Sequence, residues 1–94
     1  MAFASEIAKE FGKNVLAARE RADLSQEELS FLAGLHRTEI GQLERGNRDA
    51  KVSTLIKLSG ALALPPGDLL KGMAWTAGAM RTGRFVVRSE ADRG

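Results

Sequence analysis

The sequence predicts an all-α fold, five short helices in a compact unit, followed by a short C-terminal strand or hairpin. Three observations carry that expectation. Ser25 and Glu28 stand at capping-box spacing ahead of an apolar-periodic run, which marks a helix start. Gly34 divides that run from a second one of the same helical period, so two short helices meet at a glycine turn. Beyond Lys71 the period is lost. There Gly72, Gly78 and Gly83 punctuate a segment that holds Trp75 and the β-prone run Phe85-Val86-Val87.

From about Ser5 to Arg21, the residues Ile7, Phe11, Val15, Ala18 and Ala22 recur at spacings of three and four and define the apolar face of helix one. In helix two, Leu29, Leu32 and Ala33 share a face, and Gly34 supplies the left-handed backbone that ends it. Helix three begins near His36. Within it Ile40 and Leu43 form a narrow apolar stripe, while Thr38, Gly41, Gln42 and Arg45 lie opposite, flanked by Arg37 and Glu39. After Gly46 the polar run NRDAK reads as a loop. Val52, Leu55, Leu58, Ser59 and Leu62 then share one face of helix four, which Pro65 and Pro66 stop, opening a short fifth helix through Leu69 and Leu70. The chain divides into a helical unit, residues 1–71, and a tail, residues 72–94, expected to be disordered from about Ser89.

A chain of 94 residues, 44% hydrophobic and 28% charged, suits one small globular domain. Cysteine is absent, so stability rests on helix packing, with dimerisation as a further source. No apolar run approaches the roughly 20 residues that span a bilayer, and the N-terminus lacks a signal peptide's basic-then-apolar order. A soluble, cytoplasmic protein is expected. One histidine, no cysteine and no carboxylate pair placed for a pocket argue against an enzyme, and no cofactor or metal is expected.

The formal net charge is only +2, and what matters for a polyanionic partner is clustering. Arg37, Arg45, Arg48 and Lys51 cluster, but Glu39, Glu44 and Asp49 are interleaved, so charge by itself favours a solvated mixed-charge surface. The outer face of helix three is more specific. Arginine and glutamine each present two hydrogen-bonding groups in a plane, which match the paired acceptors of guanine and the donor-acceptor pair of adenine in the major groove.

Taken together, the capped second helix, the third helix ending in LERG and the loop into an amphipathic fourth resemble the lambda-repressor-like helix-turn-helix family, of the Cro/C1 or Xre type. The carrying residues are Phe11, Val15 and Arg19, then LSQEEL, AGLHRTEIGQLERG, STLIKLSGALAL and PPGDLL, so the resemblance covers about Phe11 to Lys71. It implies that helix three lies in the major groove while helix two crosses the backbone. Base contacts are then implied for Arg37, Thr38 and Gln42, and backbone contacts for Gln26, Asn47, Arg48 and Lys51. His36 is read as a surface or capping residue that contacts a phosphate. The resemblance also implies an ion pair between Arg19 and Glu44, and the helical wheel agrees, since Glu44 sits beside the apolar stripe. His36 and Lys51 depart from the serine or threonine often found at those caps. Gly41 weakens helix three by up to about 1 kcal/mol relative to alanine, and is read either as allowing close approach to DNA or as a tolerated substitution.

The expected function is a sequence-specific regulator of transcription, a repressor, that binds a palindromic operator in double-stranded DNA as a homodimer. The alternatives are a protein-binding module of the same fold, which would lose the arginine-bearing outer face, and an antitoxin or restriction-modification controller, which would keep it. Dimerisation is expected from the tail, because Phe31 projects away from the face of Leu29 and Leu32 while Trp75, Phe85, Val86 and Val87 lie outside the five-helix core. A lone strand exposes its edge, so it should pair with the Met73–Thr76 segment or with the same strand of a second chain, and either pairing could place aromatic side chains over Phe31. A monomer with a flexible tail is the alternative. Trp75 is read as a core or interface anchor, since no aromatic pattern for single strands surrounds it.

Overall fold

The Ser5 hydroxyl accepts from the Ala8 amide at 2.9 Å, so the chain enters its first helix with one of its otherwise unpaired amides satisfied. A computed structural model describes residues 4–88, and in it helix α1 runs Glu6–Arg21. The Ser25–Glu28 box closes in both directions, at 3.0 Å and 2.8 Å, and opens α2, Gln26–Ala33. Hydrogen bonding from Ser25, from its backbone amide first and its hydroxyl second, holds the Glu28 carboxyl below the usual carboxylate range. Helices α3, Arg37–Glu44, and α4, Val52–Ala61, follow. Strands β1, Met73–Ala77, and β2, Gly83–Val87, pair antiparallel with Trp75 opposite Phe85. No helix among the described residues is long and apolar enough to cross a membrane. The segment from Ser89, expected to be disordered, lies outside the described residues.

The fifth helix is a correction: Pro66–Leu70 forms a 3-10 turn, and the described residues form four α-helices, that turn and a hairpin. Five residues that include a glycine make too few bonds to offset the cost of an α-helical nucleus. The turn is held instead from α1, where the Asn14 amide donates to the Leu69 and Lys71 carbonyls at 3.0 Å and 3.2 Å.

Phe11, Val15 and Ala18 of α1 meet Leu29 and Ala33 of α2, Ile40 and Leu43 of α3, Leu58 and Leu62 of α4, and Leu69 of the turn in one buried cluster. Three large side chains whose spacing reads as core are exposed: Ile7 at 42%, Leu32 at 61% and Val52 at 76%. Ile7 and Val52 stand in first turns that overhang the core, and Leu32 stands in the last turn of α2. Ala22, the C-cap of α1, is exposed as well. Ala8, Ser30 and Thr54 are buried in their place. The Ser30 hydroxyl donates to the Glu27 carbonyl of its own turn at 2.6 Å, which makes its burial tolerable.

The hairpin leans on α1. Phe85 and Val87 lie beside Glu6, Lys9 and Glu10, and Met73 reaches the core cluster. The expected strand thus pairs with the chain's own Met73–Ala77 segment, but the pairing leaves Phe31 uncovered on α2, 80% exposed. Trp75 is 61% exposed, and its indole lies over Gly83, where a Cβ would meet it at 2.7 Å.

Helices α1 and α3 approach so closely at Gly12 that an added Cβ would run into the Leu43 carbonyl oxygen and lie 2.8 Å from that of Glu44. Gly12→Ala is therefore expected to destabilise the protein by about 1–3 kcal/mol through overpacking, despite alanine's better helix propensity. Gly60→Ala in α4, where a Cβ meets nothing within 4 Å, should instead gain up to about 1 kcal/mol. Urea denaturation measures both. Equal effects at the two sites would mean that the α1–α3 contact is loose.

Candidate nucleic-acid interface

The angle between α2 and α3 is set by a closure that only a left-handed residue permits. Gly34 takes φ 67°, the Leu35 amide donates to the Ser30 carbonyl at 3.0 Å, and the Gly34 amide donates to that of Phe31 at 3.4 Å. Leu35 then packs against the core, and His36 opens α3 in extended backbone. The end of α3 repeats the device at Gly46, φ 74°, with Asn47 bonded to the Gln42 carbonyl and Gly46 to that of Leu43, both at 3.0 Å.

Behind the two helices stands the expected ion pair. Arg19 Nε donates to Glu44 Oε2 at 2.6 Å and its Nη2 to Oε1 at 3.1 Å, a two-pronged contact, while Nη1 takes the Leu24 carbonyl at 2.8 Å. Gln26 Nε2 donates to Glu44 Oε1 at 2.9 Å. The side chains are 14% and 4% exposed, so both charges are largely out of water yet well bonded. The hydrogen bonds to Glu44 raise the Arg19 pKa above its ordinary value, outweighing the burial that lowers it.

In front, Arg37 and Thr38 are exposed and Gln42 is half-buried, whereas Ile40 and Leu43 are fully buried on the opposite side of α3. The structure thus gathers the three expected base contacts on one outward face. Of the expected backbone contacts, His36, Arg48 and Lys51 line one polar recess of about 380 Å³, together with Lys57 and Glu39. Arg48 Nη1 lies 3.7 Å from Glu39 Oε2 there, a loose and partly solvated pair. The other two are placed differently. Gln26 turns its amide to Glu44, and Asn47 is half-buried outside the recess. Lys57, which the sequence reading passed over, enters the recess because it lies on the polar side of α4, away from Leu58.

A polar outward face on a short helix, tied by a glycine turn to a second, capped helix, defines the class: a helix-turn-helix regulator of transcription that binds double-stranded DNA. The helix-turn-helix family model HTH_3 matches residues 15–69, and the chain belongs to that family. It is similar to the control protein C.BamHI of Bacillus amyloliquefaciens, 43% identical over 61 residues that cover 64% of this chain and 75% of the relative. It is also similar to the control protein C.SmaI of Serratia marcescens, 46% identical over 57 residues, 61% of this chain and 68% of the relative. Among solved structures it resembles the restriction-modification controller protein C.AhdI of Aeromonas hydrophila, with a TM-score of 0.65 and 39% identity over 66% of this chain and 94% of that one.

Glu44→Gln removes one charge of a desolvated pair and leaves Arg19 uncompensated, so it should cost about 3–5 kcal/mol in chemical denaturation. A loss of only about 0–1 kcal/mol would show that the pair behaves as a solvent-exposed one.

Proposed function

We propose that the protein reads a specific operator with α3 in the major groove, through Arg37, Thr38 and Gln42, and that it acts as a cytoplasmic repressor controlling restriction-modification genes. The controller role is supported by its similarity to proteins named control or controller proteins. The observation that carries the DNA-reading geometry is the division of α3: Ile40 and Leu43 are 0% exposed behind it, while Arg37 and Thr38 stand clear of the core in front. His36, Arg48 and Lys51, gathered around one recess, supply positive or hydrogen-bonding groups for the phosphates on one side of that groove. A phosphate there replaces Glu39 as the partner of Arg48.

Selection from a random duplex library yields the operator. On that site Arg37→Ala should cost about 1–3 kcal/mol and relax the preference at one base pair. Arg48→Ala should weaken binding uniformly and lower the salt slope by about one. Equal weakening on all sequences by Arg37→Ala would make Arg37 a phosphate contact. Failure of the wild-type protein to bind any duplex at low salt would favour a protein-binding module instead.

The helical unit, residues 1–71, is proposed as the DNA-binding part and the tail as the dimerisation element. The outer edges of β1 and β2 are unpaired among the described residues, and Trp75 and Val87 are exposed beside half-buried Phe85 and Val86. Phe31 then takes part only across the interface. Two protomers related by a two-fold axis read half-sites about 34 Å apart, which makes the operator palindromic. A second surface competes for the role, because Ile7, Val52 and Leu70 line an apolar groove of about 450 Å³. Light scattering at micromolar concentration separates the two: truncation after Gly72 should give a monomer, and Val52→Glu should leave the dimer intact. The reverse result would move the interface to the groove.

A further inference from the structure

Gly41 lies on the side of α3 that faces away from the core, yet it is buried. What covers it is Arg45. A Cβ added at Gly41 would meet Arg45 Nη1 at 3.1 Å, and Cζ and Nη2 each at 3.7 Å. The arginine has therefore folded back along the helix, and its guanidinium rests on the glycine four residues earlier.

The direction follows from helix geometry. Each Cα–Cβ bond tilts toward the N-terminus, so a long side chain runs over residue i−4. A side chain at position 41 would lift the guanidinium off the surface. With glycine there, it lies low on α3, over Gly41 rather than beyond the helix end. Its donors are not taken up by an ion pair, since no salt bridge among the described residues includes Arg45. Arg48 differs in having Glu39 as a loose partner, 3.7 Å away. Glycine is also a poor residue for the middle of an eight-residue helix, so its presence calls for a local reason.

We propose that Arg45 is a further base reader and Gly41 its positioning residue. The inference rests on the placement of α3 in the major groove. Gly41 leaves the slot that brings the Arg45 fork level with Gln42, where it donates to the paired O6 and N7 acceptors of a guanine. The operator thus holds one specified guanine beyond the positions read by Arg37, Thr38 and Gln42.

The test uses the full chain, duplex selection and titration on the selected site. Arg45→Ala and Arg45→Lys should both lose preference at one base pair, distinct from those relaxed by Arg37→Ala, Thr38→Ala and Gln42→Ala. Affinity for the selected site should fall about ten- to a hundredfold in both, and Arg45→Lys should change binding to random duplex little, because lysine keeps the charge but not the fork. Gly41→Leu, which fills the slot, should relax the same base pair while its unfolding midpoint is unchanged or raised. Adding Gly41→Leu to Arg45→Ala should then cost nothing more, since both act on one contact. Gly41→Ala provides a gentler displacement and should shift the same base pair to a smaller extent. If the Arg45 variants weaken all duplexes alike, Arg45 is a phosphate contact and the proposal is overturned while α3 still reads. Additive losses from Gly41→Leu and Arg45→Ala would overturn the positioning role. If Arg37→Ala also leaves the selected consensus intact, the placement of α3 itself fails, which is a separate result.

Discussion

The Arg19–Glu44 pair is the interaction on which the arrangement of the helices depends, because it is the point where four pieces of chain meet. Arg19 comes from α1, Glu44 from the end of α3, Gln26 from the start of α2, and the Leu24 carbonyl from the link between α1 and α2. An apolar contact at that place would tolerate sliding. A forked guanidinium facing a carboxylate does not, since a shift that breaks either bond leaves a desolvated charge unpaired. Gly12, about two turns earlier on α1, lets the α3 backbone come close enough for the pair to form. Close approach and charge pairing therefore support each other, and α3 cannot rotate against α1 without disturbing both.

That rigidity is what an eight-residue helix needs. Helices α2 and α3 are each too short to persist in water unaided, so their stability comes from the face that they bury. Their outer faces are then free to vary at small cost to the fold. The pairing also sorts the charges. Glu44 is neutralised inside the protein by Arg19, and Glu39 is partly neutralised by Arg48, so the negative residues interleaved in the sequence do not act as an even mixture on the surface. A net charge of +2 understates the positive character of the outward side of α3, where Arg37 and Arg45 stand without an ion pair among the described residues.

Legibility in the sequence follows the range of the interaction. The Ser25 box, the Gly34 closure and the Ile40–Leu43 stripe are decided by residues within one or two turns, and the helices that they delimit form where the spacing places them. Periodicity identifies which way a side chain points but not whether another element covers it, and for that reason Ile7, Leu32 and Val52 share core spacing and are exposed. The Pro66 turn escaped for a different reason. A helix start is visible in its prolines, but its stop depends on Asn14, more than fifty residues away. Arg45 and Gly41 could be placed on one face from their numbers, while the fold-back of the guanidinium is a conformational choice that no spacing records.

The hairpin stands apart from this logic. The family match ends at residue 69, before β1, so the shared fold supplies no account of Met73–Val87 and its role must be argued from its own surface. A two-stranded hairpin is marginal by itself in water. This one is held through Met73 on the core and through Phe85 and Val87 beside α1, on a helix that carries Arg19 but none of the expected DNA contacts. Anything that binds its free edges is thus coupled to α3 only through α1 and the shared core cluster. The association proposed there leaves the outward face of α3 uncovered, so the proposed tasks of dimerisation and base reading fall on separate surfaces.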